Sequence, residues 1–155
     1  MSEDAINFRA AEAGDLPAIV ALLADDDIGA TREDQRTPLA TAYTDAFQSI
    51  LHDKNQLLAV AVNSNKNIIG TLQISFIPGI SRLGAWRGQI EAVRISTKHR
   101  QSGLGRKMFD WAITQCQLRG CKLVQLTSDK SRPDAHRFYE SLGFVDSHIG
   151  YKLNL

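Results

Sequence analysis

The sequence predicts an α/β (α+β) fold in one domain spanning residues 1–155. Helical and strand-like apolar patterns succeed one another along the chain, and no repeat, low-complexity tract or linker rich in Pro, Gly or Ser divides it. A composition 43% hydrophobic and 23% charged suits one core of real size. The balance of 18 Lys and Arg against 17 Asp and Glu, a net charge of +1, excludes a bulk polyelectrolyte partner. That sum hides a split: residues 1–53 carry eleven acids and three bases, a balance of −8, and the remainder carries +9.

Taken in order, Ala5 to Arg9 alternates as a short strand, Asp15 caps a helix with Pro17 in its first turn, and Leu16, Ile19, Val20 and Leu23 share one helical face. A polar, acidic connection runs from Asp25 to Arg36. Thr37-Pro38 then opens a second helix that turns Leu39, Tyr43, Ala46, Phe47 and Ile50 inward. LLAVAV and IIGTLQISFI, joined by a turn at Asn63 to Asn67, read as an antiparallel hairpin. Pro78 to Gly88 is a loop. In Gln89 to Ser96, Ile90 and Ala92 share one parity while Val93 and Ile95 share the other, so a regular strand would misplace half of them. One extra residue near Ala92 and Val93, a β-bulge, repairs the pattern; a strand buried on both faces would show the same letters. The rest reads as a helix striped by Leu104, Met108, Ala112 and Cys116, a strand Lys122 to Ser128, a helix from Pro133 to Gly143, and a terminal strand pair around Val145 and Ile149 to Leu153.

Gly103 and Gly105 lie in a basic loop that opens the Leu104 helix. Free N–H groups and the positive end of the helix dipole make this an anion site, and Lys98, Arg100, Arg106 and Lys107 add charge. The loop is neither a P-loop nor a G-x-G-x-x-G turn. Cys116 and Cys121 read as core thiols rather than a disulfide framework, and His52, His99, His136 and His148 lack metal-ligand spacing, so no metal is expected. No apolar run is long enough for a membrane span and no signal core is evident, which points to the cytoplasm. The aromatics fall mostly at core periods, against a nucleic-acid surface.

Two segments carry a family resemblance. Arg100-Gln101-Ser102-Gly103-Leu104-Gly105 has the R/Q-x-x-G-x-G/A form of the GNAT superfamily of acetyl-CoA-dependent N-acetyltransferases, and Ala135-His136-Arg137-Phe138-Tyr139-Glu140-Ser141-Leu142-Gly143-Phe144 is similar to that family's A-x-x-F-Y-x-x-x-G-F segment. Both occur in order with a strand between them, and the resemblance covers nearly the whole chain. It implies a mixed sheet of about six to seven strands with a splayed parallel pair, flanked by about four helices. It also implies acetyl-CoA as cosubstrate, with pantetheine along the backbone of Val93, Arg94 and Ile95. The pyrophosphate then falls on Arg100, Gln101, Ser102, Gly103, Leu104, Gly105 and Arg106.

Acetyl transfer to an amine needs a proton acceptor, since an ammonium has no lone pair. Glu91, the only acid between Lys54 and Arg106, resembles the family's strand glutamate that acts as base directly or through water; the alternative is a solvated or Arg-paired strand residue. A free N–H at the bulge, that of Val93, would stabilise the oxyanion. Tyr139 matches the family tyrosine that protonates the leaving thiolate, with Phe138 in the core. Where many relatives have Asn at the start of that helix this chain has Arg132, which together with His136 could reach coenzyme A phosphates.

The resemblance implies an acceptor between the first two helices, their connection and the hairpin side of the sheet, where Asp25, Asp26, Asp27, Glu33 and Asp34 would attract a small cationic or amino-acid-like amine. A protein lysine, a protein N-terminus, or a non-catalytic acetyl-CoA-binding role are the alternatives. Trp86 and Arg87 shape the acceptor pocket, anchor the surface, or form a subunit contact in a homodimer.

Overall fold

The alternating runs of the sequence form strands β1 (Asn7–Ala10), β2 (Gln56–Val62), β3 (Ile68–Ile77), β4 (Arg87–Ile95) and β5 (Leu123–Gln125). The segments with helical spacing form α1 (Leu16–Leu23), α2 (Thr41–His52), α3 (Leu104–Leu118) and α4 (Pro133–Ser141). These elements come from a computed structural model that describes residues 5–155; the first four residues, with the counted acids Glu3 and Asp4, lie outside the described residues. The strands make one sheet in the order β1-β2-β3-β4-β5. Its first three pairings are antiparallel, and β4 and β5 run parallel.

Strand alternation sends two different cores to the two faces. On one face Leu72, Ile74, Phe76 and Ile90 pack against Leu104, Met108, Phe109, Ala112 and Cys116, the predicted stripe of α3. Phe109 is fully buried and meets Phe138 and Phe144 edge-on at centroid distances of 5.7 and 6.0 Å, so α4 is docked through aromatic contacts. Burial pushes the Cys116 thiol up to about 12, as befits a core residue. On the opposite face Val60 and Val62 pack under Leu16 and Ile19 of α1 and Phe47 of α2.

The parity break in β4 is a bulge. Gln73 pairs with Glu91 and Thr71 with Arg94, so the single residue Leu72 faces both Ala92 and Val93. Ala92 takes φ 52°, the left-handed conformation of the inserted residue. β5 pairs with β4 only from Arg87 to Gln89. Beyond that point the two strands separate, and Ile90 to Ile95 has β3 on one side and, among the described residues, no strand on the other.

Several expectations change. The sheet has five strands among the described residues, not six to seven. Val145 to Leu155 pairs with no strand: Ser147 N–H donates back to the Val145 carbonyl at 2.9 Å and its hydroxyl lies 2.7 Å from His148 Nδ1. Ile149, Tyr151 and Leu153 alternate as a strand would, but all three are exposed, so no apolar face is buried to hold them on the open edge of β5. β5 is shorter than Lys122 to Ser128 because it pairs with β4 only over Leu123 to Gln125. α2 begins at Thr41, not at Thr37-Pro38. Asp15 precedes α1 without capping it through its side chain. Its carboxylate is occupied by Arg9 at 2.6 and 3.1 Å and by the Glu12 N–H at 2.8 Å.

Candidate active site

The separation of β4 from β5 exposes the backbone of β4, and the elements that follow β4 supply its surroundings. The chain leaves Ile95 through a single turn at Thr97–His99 and enters α3 at Gly103, whose φ of 80° disfavours any side chain. The first hydrogen bond back to this turn is Lys107 N–H to the Gly103 carbonyl, so the N–H groups at the start of the 15-residue α3 are left for an external acceptor. They border a recess of about 430 Å³ lined by Ile95, His99, Arg100, Gln101, Arg106 and Phe138, among others. Gly105 lets this loop lie against α4, since a Cβ there would come 3.2 Å from the Phe138 ring. A groove of this kind fits a long ligand with an anionic segment.

The basic side chains of the loop are partly committed. The Arg100 guanidinium donates to the carbonyls of Ile95 at 3.2 Å and Asp25 at 3.0 Å. Arg106 donates to the Ser141 carbonyl and hydroxyl, both at 3.2 Å, joining α3 to the end of α4. His136 Nε2 lies 2.8 Å from the Asp129 carbonyl.

On the other face a cleft of about 120 Å³ opens between α1, α2 and the sheet, with Tyr43, Phe47, Thr71, Gln73 and Ala92 in its lining. Glu91 stands directly across from Gln73 in register, hence on this face, and is exposed without an ion pair among the described residues. Arg94, across from Thr71, returns to the same face after the bulge. Tyr139 on α4 is half-buried against Phe109 and Phe138, each at 5.6 Å between ring centroids. Burial raises its pKa, while the nearby charges of Arg132 and Arg94 pull the other way.

Four of the five acids in the connection are already partnered, while Asp27 is exposed with no bond among the described residues. Asp25 accepts from the Thr97 hydroxyl at 2.5 Å and the Thr97 N–H at 3.1 Å, and Arg100 lies 3.7 Å away; the Thr97 hydroxyl bond is foremost in holding its carboxyl below the usual range. Burial pushes the Asp26 carboxyl up, but the Gly29 N–H together with Arg94, Arg132 and Arg100 outweighs it and lowers the pKa. Glu33 accepts from the Tyr43 hydroxyl at 2.7 Å, and Asp34 pairs with Arg36. The expected pull on a cationic amine is therefore largely spent within the protein. Arg132, expected near cofactor phosphates, is turned toward Asp26 at 3.8 Å. Trp86 packs with the α3-side core rather than lining the cleft.

The cluster of Asp26, Arg94 and Arg132 escaped sequence reasoning. Only the bulge hinted at it, because the inserted residue brings Arg94 to the face of Glu91. Among the described residues no three His, Cys, Asp or Glu side chains gather as metal ligands, and no helix is long and apolar enough to cross a membrane.

Comparison with known proteins agrees with this geometry. The chain is 26% identical over 110 residues to the aminoalkylphosphonate N-acetyltransferase of Salmonella typhimurium, covering 71% of this chain and 70% of that one. A crystal structure from Bacillus halodurans C-125, described as a transcriptional regulator, superimposes with a TM-score of 0.94 at 46% identity, over 97% of this chain and 100% of that chain. A Clostridium acetobutylicum protein, described as a predicted acetyltransferase with acetyl-CoA, shares the fold with a TM-score of 0.75 at 22% identity, over 97% of this chain and 96% of that one. The model of the acetyltransferase (GNAT) family matches residues 19–144. With the bulged β4, the parting of β4 and β5 and the glycine turn into α3 in place, the chain belongs to the GNAT family of acetyltransferases and is an acyltransferase.

Proposed function

We propose that the protein transfers the acetyl group of acetyl-CoA to the primary amine of a small, amino-acid-like molecule by direct attack with both substrates bound. The observation that carries this reading is the bulge, which leaves Ala92 and Val93 without a one-to-one ladder partner beside an open strand edge. Acetyl-CoA would supply the activated thioester. The residues suited to hold it are the backbone of Val93, Arg94 and Ile95, along which an extended ligand can add as a strand, and the segment Arg100 to Arg106 at the start of α3. Holding both reactants in one cleft converts the encounter into an oriented one.

Glu91 takes the proton from the ammonium, directly or through water, and frees the nitrogen lone pair. As the C–N bond forms, the Val93 N–H stabilises charge on the carbonyl oxygen. As the C–S bond breaks, the Tyr139 hydroxyl gives its proton to sulfur, while the second proton of the attacking nitrogen leaves to water so that the amide is neutral and the phenol is restored from solvent. Burial keeps that phenol neutral at pH 7. The reading of the acceptor as a small amine is supported by the modest size of the cleft and by the Salmonella relative, whose name gives an aminoalkylphosphonate as its substrate.

The test is acetyl-CoA-dependent thiol release over a panel of amines that includes amino acids, amino alcohols, polyamines and aminoalkylphosphonates. Turnover of at least one small amine is expected. Binding of acetyl-CoA with no turnover of any amine, small or peptidyl, would overturn the enzymatic reading.

A further inference from the structure

Arg94 is an exception to the rule that buried polar groups find partners. Its side chain is only 18% exposed. One terminal nitrogen donates to the Val93 carbonyl at 2.9 Å, yet Nε is buried and has no hydrogen-bond acceptor among the described residues. The nearest carboxylate oxygen, Asp26 Oδ2, lies 3.4 Å from Nε, close enough for ion pairing but out of line for a hydrogen bond. That same oxygen also faces Arg132 at 3.8 Å, and the other oxygen of Asp26 is taken by the Gly29 N–H at 2.6 Å. Two guanidinium groups thus share one carboxylate oxygen, leaving an excess positive charge and unused donors.

The place of this fork matters as much as its charge. Arg94 follows the bulge on the face that carries Glu91, three residues along the same strand, and the charges of both arginines lower the Tyr139 pKa against its burial. An acid group held there lies on the face of the sheet that carries the proposed base Glu91, while the recess at the start of α3 has its own donors. A guanidinium presents paired donors that match the oxygens of a phosphonate or carboxylate.

We infer that Arg94 and Arg132, held by Asp26, bind an acidic oxyanion on the acceptor, so that the preferred substrate is an amine with a phosphonate or carboxylate group a short alkyl chain away. This rests on the acetyl-transfer reading and narrows its acceptor from amines in general to acidic amines.

The test pairs kinetics with binding on the full chain. Amines of equal length ending in phosphonate, carboxylate, hydroxyl or methyl are compared by kcat/KM, in wild type and in Arg94→Met and Arg132→Met. Wild type should favour at least one acidic amine over its neutral match by tenfold or more, and which acid leads identifies the group. Each variant should bring that ratio toward one, mainly by raising KM for the acidic amine. In parallel, calorimetry with coenzyme A present measures a simple alkylphosphonate and alkylcarboxylate that lack the amine. The preferred anion should bind wild type and weaken tenfold or more in both variants. Arg132→Met, at a side chain 41% exposed, keeps the test open if Arg94→Met fails to fold. Equal use of acidic and neutral amines would overturn the proposal, as would anion binding that is absent or indifferent to the arginines. Equal loss on every amine would assign the arginines to Tyr139 or the cosubstrate instead. Anion binding that depends on the arginines, with no amine acetylated, would uphold the site and overturn acetyl transfer.

Discussion

The two faces of the sheet are built from neighbouring residues on the same strands yet differ in what they bury. The α3 face is closed: Leu72, Ile74, Ile90, Met108 and Phe109 have almost no exposed surface, and α3 lies across them as one apolar stripe. The α1–α2 face begins in the same way at Val60 and Val62 but gives way to Thr71, Gln73, Glu91 and Arg94, and a cleft remains open over Thr71, Gln73 and Ala92. The dry core is thus concentrated on one face and the polar residues of the proposed acceptor side on the other, with the bulge at Ala92 and Val93 between them and Tyr139 reaching in from the closed side.

The contrast is broken most severely from the closed face. Phe109→Ala removes a fully buried ring that holds α4 in place through Phe138, Tyr139 and Phe144. It should cost about 3–5 kcal/mol in denaturant unfolding. Activity should fall with it, because Tyr139 loses its support. A loss below about 1 kcal/mol would show that the closed face is not the main source of stability.

Deleting Ala92 separates the two functions of β4. With Ala92 gone, Gln73–Glu91, Leu72–Val93 and Thr71–Arg94 become one regular antiparallel register, and every remaining side chain keeps its present face. The left-handed backbone at Ala92 is also removed. Thermal unfolding should therefore stay within a few degrees of wild type. Turnover should drop by about 10²–10³, the loss associated with one oxyanion donor. A deletion variant that unfolds, or one that keeps its turnover, would show that the bulge is a feature of folding alone.

Tyr139→Phe is the milder change at the same border, because it leaves the ring packing intact. We expect a fall in kcat of about 10² with acetyl-CoA affinity nearly unchanged. Since burial raises the Tyr139 pKa, wild-type kcat should show no loss from this group below about pH 10. Unchanged turnover in the variant would remove Tyr139 from the mechanism.

How much of this was legible in the sequence also divides along the two faces. The α3 stripe follows from spacing alone, because Leu104, Met108, Ala112 and Cys116 recur at the helical period and all are buried. The bulge was legible because parity is a strict property of a strand, and an added residue leaves a visible break. The arginine fork was not. Asp26, Arg94 and Arg132 lie on three segments far apart in the chain, and no local rule links the sign of a loop to the partner it meets. Counting acids between Asp25 and Asp34 therefore suggested a cationic acceptor where the folded chain has already paired most of them. The terminal strands failed for a related reason: alternation reports which side chains would share a face, but not whether that face meets a core to bury it, and Ile149, Tyr151 and Leu153 are exposed.

The smallest expected effect tests whether the open face owes its stability to ion pairs in place of a dry core. Arg9 and Asp15 tie β1 to the start of α1, and the Asp15 side chain is 12% exposed. The Arg9 hydrogen bond, against the opposing cost of burial, holds the Asp15 carboxyl below its ordinary range. A lowered native pKa means that the pair's contribution is complete above the unfolded value, about 3.9, and is lost as pH falls through the lower native value. Asp15→Asn should thus cost about 1–2 kcal/mol at pH 6–7. The difference from wild type should shrink once the pH drops below about 4. Urea unfolding at pH 7 and at several points below pH 4 measures both parts. A difference that stays constant across that range would assign the effect to packing around α1, and the open face would then resemble the closed one more than its polar surface suggests.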